Sequence, residues 1–315
     1  MPDAGADSPH LEEAEQEQAA RHSAPQALVI HEVLREEGER ELEKRPSAVA
    51  WSGLAAGMSM GFSFLCMALI TSMLPDRPWR HLVASGGYTV GFVITILGRQ
   101  ELFTESTLTA VLPLLMRRDR QTLRAVLRFW AIVLTANLAG TGLFALLLTY
   151  KGLFTADVDA SLVQIARAAV GGAFTITLLK AVLAGWLIAL MAWLLPSARS
   201  ARLFVILLLT FVVALGSLSH IVAGSVEAAY AVFHGDATVR DYIVGFLAPT
   251  LIGNTIGGVT LVAMLNHAPL VDELEGVSND GTGNAGTARP PEPARKADTT
   301  RAKSPQQRKA ERTRN

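Results

Sequence analysis

Cysteine is all but absent: Cys66 is the only one in the 315-residue chain, which excludes an intrachain disulfide framework and a cysteine metal cage. Its place inside the first apolar run suits a small packing residue. No stretch of basic residues leads directly into an apolar one at the N-terminus, and the first apolar run begins only near Ala48. A cleaved signal peptide is therefore not expected, and insertion is expected through the first span itself. Net charge is missing too, with 28 Lys and Arg balanced by 28 Asp and Glu. No nucleic-acid partner, cofactor or metal is expected.

What is present is apolar. Half of the residues are hydrophobic and the mean hydropathy is +0.32, which suits a polytopic membrane protein better than a soluble enzyme of two domains. Charge is pushed to the edges. Residues 1–47 are acid-rich, with Glu12, Glu13, Glu15 and Glu17 followed by Glu36, Glu37, Glu39, Glu41 and Glu43; the chain after about Glu275 is basic and rich in Pro, Gly and Thr. Neither end carries enough apolar surface to offset its ordering entropy. The exception is an amphipathic stretch around Leu28 to Leu42, with Ile30, Val33 and Leu34 on one side, expected as an interfacial or docking helix. Three regions follow: a cytoplasmic acidic segment over 1–47, partly helical; a six-span pore domain over 48–267; and a disordered basic cytoplasmic tail over 268–315.

A bilayer core of about 30 Å needs about 20 apolar residues per helix. Six stretches qualify: Ala48 to Leu74, Leu82 to Met116, Ala125 to Tyr150, Ala168 to Leu195, Leu203 to Phe233 and Tyr242 to Leu265. Arg117, Arg118, Arg120, Arg124 and Arg128 follow the second stretch, and Arg199 and Arg202 follow the fourth. The loops after the first, third and fifth carry Asp76, Asp157, Asp159, Asp236 and Asp241. By the positive-inside rule both termini are cytoplasmic.

The second and fifth stretches are too long for one crossing, and polar or small residues interrupt both: Gly98 to Glu105 in one, Gly216 to His220 in the other. Glu101 and Ser219 are 118 positions apart, and Asn137-Leu-Ala-Gly140 and Asn254-Thr-Ile-Gly257 repeat at 117. Two features with nearly one offset read as a duplicated three-span unit, and an odd number of spans per unit inverts one copy. The expected fold is an all-α membrane protein of six transmembrane helices in an inverted three-plus-three repeat, with broken second and fifth helices and a site near the midplane.

At the first break, a helix restarting near Thr104 presents free N–H groups and the positive end of its dipole. Glu101, Thr104 and Glu105 suit those donors, and Arg99 suits the glutamates; these charges read as loop support. Leu102 and Phe103 read as a plug. At the second break, His220 is the only histidine well inside a span and is expected to exchange a proton with a passing anion. Asn137 and Asn254 suit interhelical hydrogen bonds, with small residues beside them. Lys180, near the middle of the fourth span, suits a pair with Glu101, Glu105 or Glu227, or a local positive potential for an anion.

At these residues the chain resembles the formate/nitrite transporter family, over about Trp51 to Leu265. Glu101-Leu102-Phe103-Thr104 looks like the family's loop in the broken second helix. Trp186 to Trp193 is similar to its fourth helix, Gly216 to His220 to the broken fifth helix with its central histidine, and Pro249 to Gly258 to the sixth. The resemblance implies an aquaporin-like protomer, a homopentamer with one pore per protomer, small monovalent anions as substrates, and two apolar constrictions flanking the histidine. Carried over, His220 is the central histidine and Leu102, Phe103 and Thr104 form the periplasm-side constriction. Phe92 and Tyr88 line the cytoplasm-side one, and Asn254 lines the pore. Gly185 stands where the family's fourth helix usually has Asn, Ser219-His220-Ile221 departs from its Glu-His-Ser, and Arg167 is the nearest match to the cation at the start of that helix.

The expected function is thus a channel or proton-coupled transporter for small monovalent anions in the inner membrane, with anion, proton and lipid bilayer as its partners. An aquaporin-type channel for neutral solutes would carry paired Asn-Pro-Ala loops, and none occurs. An intramembrane enzyme built on Glu101, Glu105 and His220 would lack a second histidine or any cysteine near those groups.

Overall fold

In a computed structural model, residues 27–264 are described, and every element among them is helical. The expectations for the first 26 residues and for the 268–315 tail lie outside the described residues. Helix α1 (Ala27–Glu43) precedes α2 (Pro46–Met73), α3 (Arg80–Leu97), the short α4 (Phe103–Thr109) and α5 (Val111–Arg117), and α6 (Arg120–Leu148). Then come α7 (Ala156–Val170), α8 (Phe174–Ala198), α9 (Arg202–Leu215), α10 (Ile221–His234) and α11 (Ala248–Thr255), the last flanked by π-helical turns over Asp241–Leu247 and Ile256–Met264. Among the described residues, four helical segments are long and apolar enough to cross a membrane: Pro46–Met73, Arg120–Leu148, Phe174–Ala198 and Asp241–Thr260.

Local chemistry sets the ends. Pro46 starts α2, where a missing N–H costs nothing. Asp119 caps α6, accepting from the N–H groups of Gln121 and Thr122 at 2.8 and 2.9 Å. Gly235, with φ 90°, closes α10. Just beyond it, Asp236 accepts from Nε and Nη2 of Arg167, tying α7 to the α10 exit; that guanidinium holds its carboxyl below the usual range.

Close packing of helix backbones positions the polar groups. Gly57 of α2 lies against the backbone of Asn137 in α6, and Gly185 of α8 lies against the backbone of Asn254 in α11, each so near that a Cβ would strike the asparagine carbonyl. Small residues at such crossings let helices approach without loss of contact. The absence of a longer side chain at 185 therefore has a physical reason.

Two expectations are corrected. The fourth stretch does not run unbroken from Ala168: α7 ends at Val170 and α8 begins at Phe174. The Gly171-Gly172 pair separates them, so Lys180 sits in the second turn of α8 rather than mid-span. In α1, Ile30 and Leu34 are buried against Leu108, Leu112 and Trp193, while Val33 is 45% exposed; the buried face turns instead through His31 and Gly38. His31, on the same helix, is fully buried, and burial pulls its pKa down.

Candidate functional site

Two chain reversals meet at the centre, and each is built in the same way. Helix α3 stops at Gly98, whose N–H donates to the Ile94 carbonyl at 2.9 Å; Arg99 turns left-handed at φ 52°, and Gln100 N–H donates back to Thr95 at 2.9 Å. Helix α9 stops at Gly216, whose N–H donates to Val212 at 3.0 Å; Ser217 turns left-handed at φ 47°, and Leu218 N–H donates back to Val213 at 2.9 Å. Left-handed backbone costs a non-glycine residue about 1–2 kcal/mol, so both turns need compensation from their surroundings.

Asparagines supply it. Asn137 accepts from Phe103 N–H at 2.9 Å and donates through Nδ2 to the carbonyls of Gly53 and Glu101. Asn254 accepts from Ile221 N–H at 2.8 Å and donates to the carbonyls of Ala181 and Ser219. Each side chain thus satisfies the first donor of a restarting helix and a carbonyl of the preceding loop, groups that no helix ladder reaches. The expectation of interhelical bonding holds for both asparagines. Asn254, to which the resemblance assigned a pore-lining role, is fully buried with its amide engaged by backbone groups.

Extended residues follow each turn, Leu102 before α4 and His220 before α10, and both are 1% exposed. His220 Nδ1 accepts from Ala223 N–H at 3.2 Å, capping its own helix. Because Nδ1 is an acceptor, the ring proton of neutral His220 lies on Nε2, which stands 2.7 Å from Thr104 Oγ1 at the start of α4. The two restarting helices therefore touch through this donor and hydroxyl. Phe92 presents its ring edge-on to His220 with centroids 5.0 Å apart, and Tyr88 packs on Phe92 at 5.3 Å. Phe103 turns away from this pair to pack edge-on against Trp130.

Cavities open toward both ends of α3. The first, about 310 Å³, is lined by His220, Tyr88, His81, Lys180, Glu227 and Phe246 among others. The second, about 180 Å³, is lined by Leu102, Arg99, Glu101, Glu105, Lys44 and Arg202. Since α3 begins beside the first and ends beside the second, and α9 runs the opposite way from Arg202 to Leu215, the cavities lie at opposite ends of the helix bundle. Leu102 faces the end that holds α1, Arg117 and Arg202, and Tyr88 faces the other. Were the α1 end cytoplasmic, Leu102 would lie on the cytoplasmic side and Tyr88 on the far side, the reverse of what the resemblance implies.

The charged residues of the first break differ from expectation in their partners. Glu101 pairs with Lys44 rather than Arg99, and its N–H donates to Ser52 Oγ at 3.0 Å. No side chain of α4 caps its own N-terminus, Glu105 included. Arg99 is exposed. Lys180 forms no ion pair with a described residue, and Glu101 and Glu105 line the cavity at the opposite end from it. Sequence reasoning missed Lys44 and the backbone partners of the two asparagines, and it named Glu227 only as a partner for Lys180. An isolated lysine 57 residues upstream of Glu101 carries no local signal.

Comparison with known proteins fits this geometry. The sequence model described as formate/nitrite transporter matches residues 28–268. The chain is 40% identical to the inner membrane protein YfdC of Escherichia coli (strain K12) over 248 residues, covering 79% of this chain and 80% of that one. It is 28% identical to the formate channel BtFdhC of Bacillus thuringiensis over 76% of this chain and 93% of the relative. Among solved structures, an FNT family ion channel superposes with a TM-score of 0.66 at 22% identity, covering 75% of this chain and 97% of that one. A pentameric formate channel with formate bound superposes at 0.63 and 19% identity, covering 72% and 98%.

Proposed function

Because this chain belongs to the formate/nitrite transporter family, we propose that it conducts small monovalent anions such as formate or nitrite between its two cavities, past Thr104 and His220. The observation that carries this reading is the buried 2.7 Å contact of Thr104 Oγ1 with His220 Nε2, set beside Phe92 at the meeting point of two interrupted helices. An anion entering an apolar constriction loses its water at large cost. A hydroxyl and an imidazole N–H at that point return two of the lost hydrogen bonds, and protonation removes the charge altogether. Lys180 attracts the anion into the first cavity. Members of this family are transporters, so the intramembrane-enzyme reading is set aside.

The fold proposed with this function is six transmembrane passes in an inverted three-plus-three repeat, α3 with α4 and α9 with α10 forming the interrupted passes. Its support is the agreement of two left-handed turns, two extended caps and two asparagine clamps at offsets of 117 or 118 residues. The arginines between α5 and α6 and at the start of α9 favour a cytoplasmic position for the α1 end. Five copies, each with its own path, are proposed from the solved pentameric relative, and residence in the inner membrane from the YfdC relative.

The test is a proteoliposome panel of formate, nitrite, acetate, lactate, hydrosulfide and nitrate, with and without a pH gradient. Flux of formate or nitrite above empty vesicles, rising as the outside is acidified and falling in His220→Phe, is the expected result. No flux of any of these anions, or flux that ignores both pH and His220→Phe, would overturn the reading.

A further inference from the structure

Among the described residues, one carboxyl group inside the first cavity has no partner. Glu227 lies two turns into α10, whose extended cap is His220, and both side chains line the cavity of about 310 Å³. Glu227 is partly buried there and makes no hydrogen bond or ion pair with any described residue. In the second cavity Glu101 pairs with Lys44 and Glu41 accepts from Thr109 at 2.6 Å, while the side chains of Glu105 and Glu37 line it without a hydrogen bond or ion pair to a described residue, at the end away from the His220 cavity. Ionisable groups within membrane spans are rare and normally paired, and those left open to a cavity mark substrate or proton paths.

His220 is poorly placed to supply a proton itself. Its Nδ1 already accepts from Ala223 N–H and its Nε2 contacts Thr104, so a second ring proton would face the Ala223 donor and break the cap. We infer that Glu227 is the proton donor to the permeating weak acid. The carboxyl O–H bond breaks as an O–H bond forms on the anion, leaving the Glu227 carboxylate and a neutral acid. The neutral acid crosses the Phe92 and Thr104–His220 constriction, and Glu227 regains its proton from water in the cavity mouth. This inference rests on the anion-conducting reading.

Neighbouring groups are compatible with that role. His81 and Tyr88 of α3 and Lys180 of α8 line the same cavity. Lys180 forms no ion pair with Glu227, so the cation recruits the anion while the carboxyl stays free to act on it. On α7, Arg167 is engaged with Asp236, which also meets His234 of α10 at 2.8 Å. Asp241 accepts from Thr238, and Tyr242 stacks on Phe246. Cys66 of α2, Tyr230 of α10 and Asp159 of α7, whose charge acts on Tyr230, are further titratable groups near this helix.

The experiment uses the full chain, Glu227→Gln and Glu227→Asp in proteoliposomes carrying an internal pH dye, with formate added outside and empty vesicles as control. The expected result for Glu227→Gln is a loss of about tenfold or more in formate flux and accompanying proton entry, with no rise as outside pH falls; Glu227→Asp restores part of both. Infrared difference spectra should show a protonated-carboxyl band that diminishes when formate is added to wild type and is missing in Glu227→Gln. Glu227→Gln flux and pH profile equal to wild type would overturn Glu227 as donor and leave conduction standing. Wild type that moves none of the anions would remove both. Should Glu227→Gln elute differently from wild type, the wild-type spectra decide, and a carboxyl band indifferent to formate overturns the assignment.

Discussion

At the scale of single residues, the asparagines matter as much as the histidine. Asn137 and Asn254 are fully buried and each hold three backbone groups. Replacing either by leucine strands those groups at about 1–3 kcal/mol apiece. Asn137→Leu and Asn254→Leu should therefore lower the melting temperature in detergent by many degrees and abolish flux; melting curves that overlay wild type would show that the clamps carry little. Gly185→Ala should cost about 1–3 kcal/mol by overpacking against the Asn254 backbone, read in the same melts. The repeated Asn-x-x-Gly pattern was legible in the sequence. Which backbone atoms the amides would meet was not, because those partners lie 33 to 84 residues away.

Among elements, α1 shows how a polar segment comes to be packed. Its acids are not merely solvated: Glu41 accepts from Thr109 and Glu39 meets Arg117 at 2.7 Å, and just past the helix Lys44 reaches Glu101. Burial, reinforced by the charge of Glu101, pushes the Glu41 pKa up to about 8 from 4.5. A carboxyl whose pKa is raised on docking stabilises the docked state fully below its undocked pKa, and that contribution is lost as pH climbs through the docked value. Hydrogen exchange of Ala27–Glu43 should accordingly speed up beyond its intrinsic pH trend between about pH 4.5 and 8, and Glu41→Gln should remove the excess. An unchanged excess in Glu41→Gln would assign it to another group. The amphipathic stretch announced a helix; that it docks on α4, α5 and α8 follows from Leu108, Leu112 and Trp193 offering a buried apolar face.

For the whole molecule, orientation and assembly can be checked together. In a Cys66→Ser background, Asp119→Cys should react with an impermeant thiol reagent only from the cytoplasmic side of vesicles, and Thr238→Cys only from the opposite side. Labelling of both from one side would contradict the six-pass reading. The detergent-solubilised protein should migrate as about five copies, matching its solved pentameric relative. The large apolar side chains left exposed on the single chain, Trp51, Leu143, Leu146 and Leu147 among them, then face lipid or neighbouring copies.

Composition and periodicity by themselves determined that this is a helical membrane protein with two interruptions at one offset, because hydropathy and small-residue breaks are local properties of the chain. They did not determine that Thr104 meets His220, that Leu102 and Tyr88 face opposite ends, or that Glu101 belongs to Lys44 and not to Arg99. Those are matters of which distant segments share space. Only the tertiary structure decided them, since a buried donor is satisfied by whatever backbone and side chains the packed helices bring within about 3 Å.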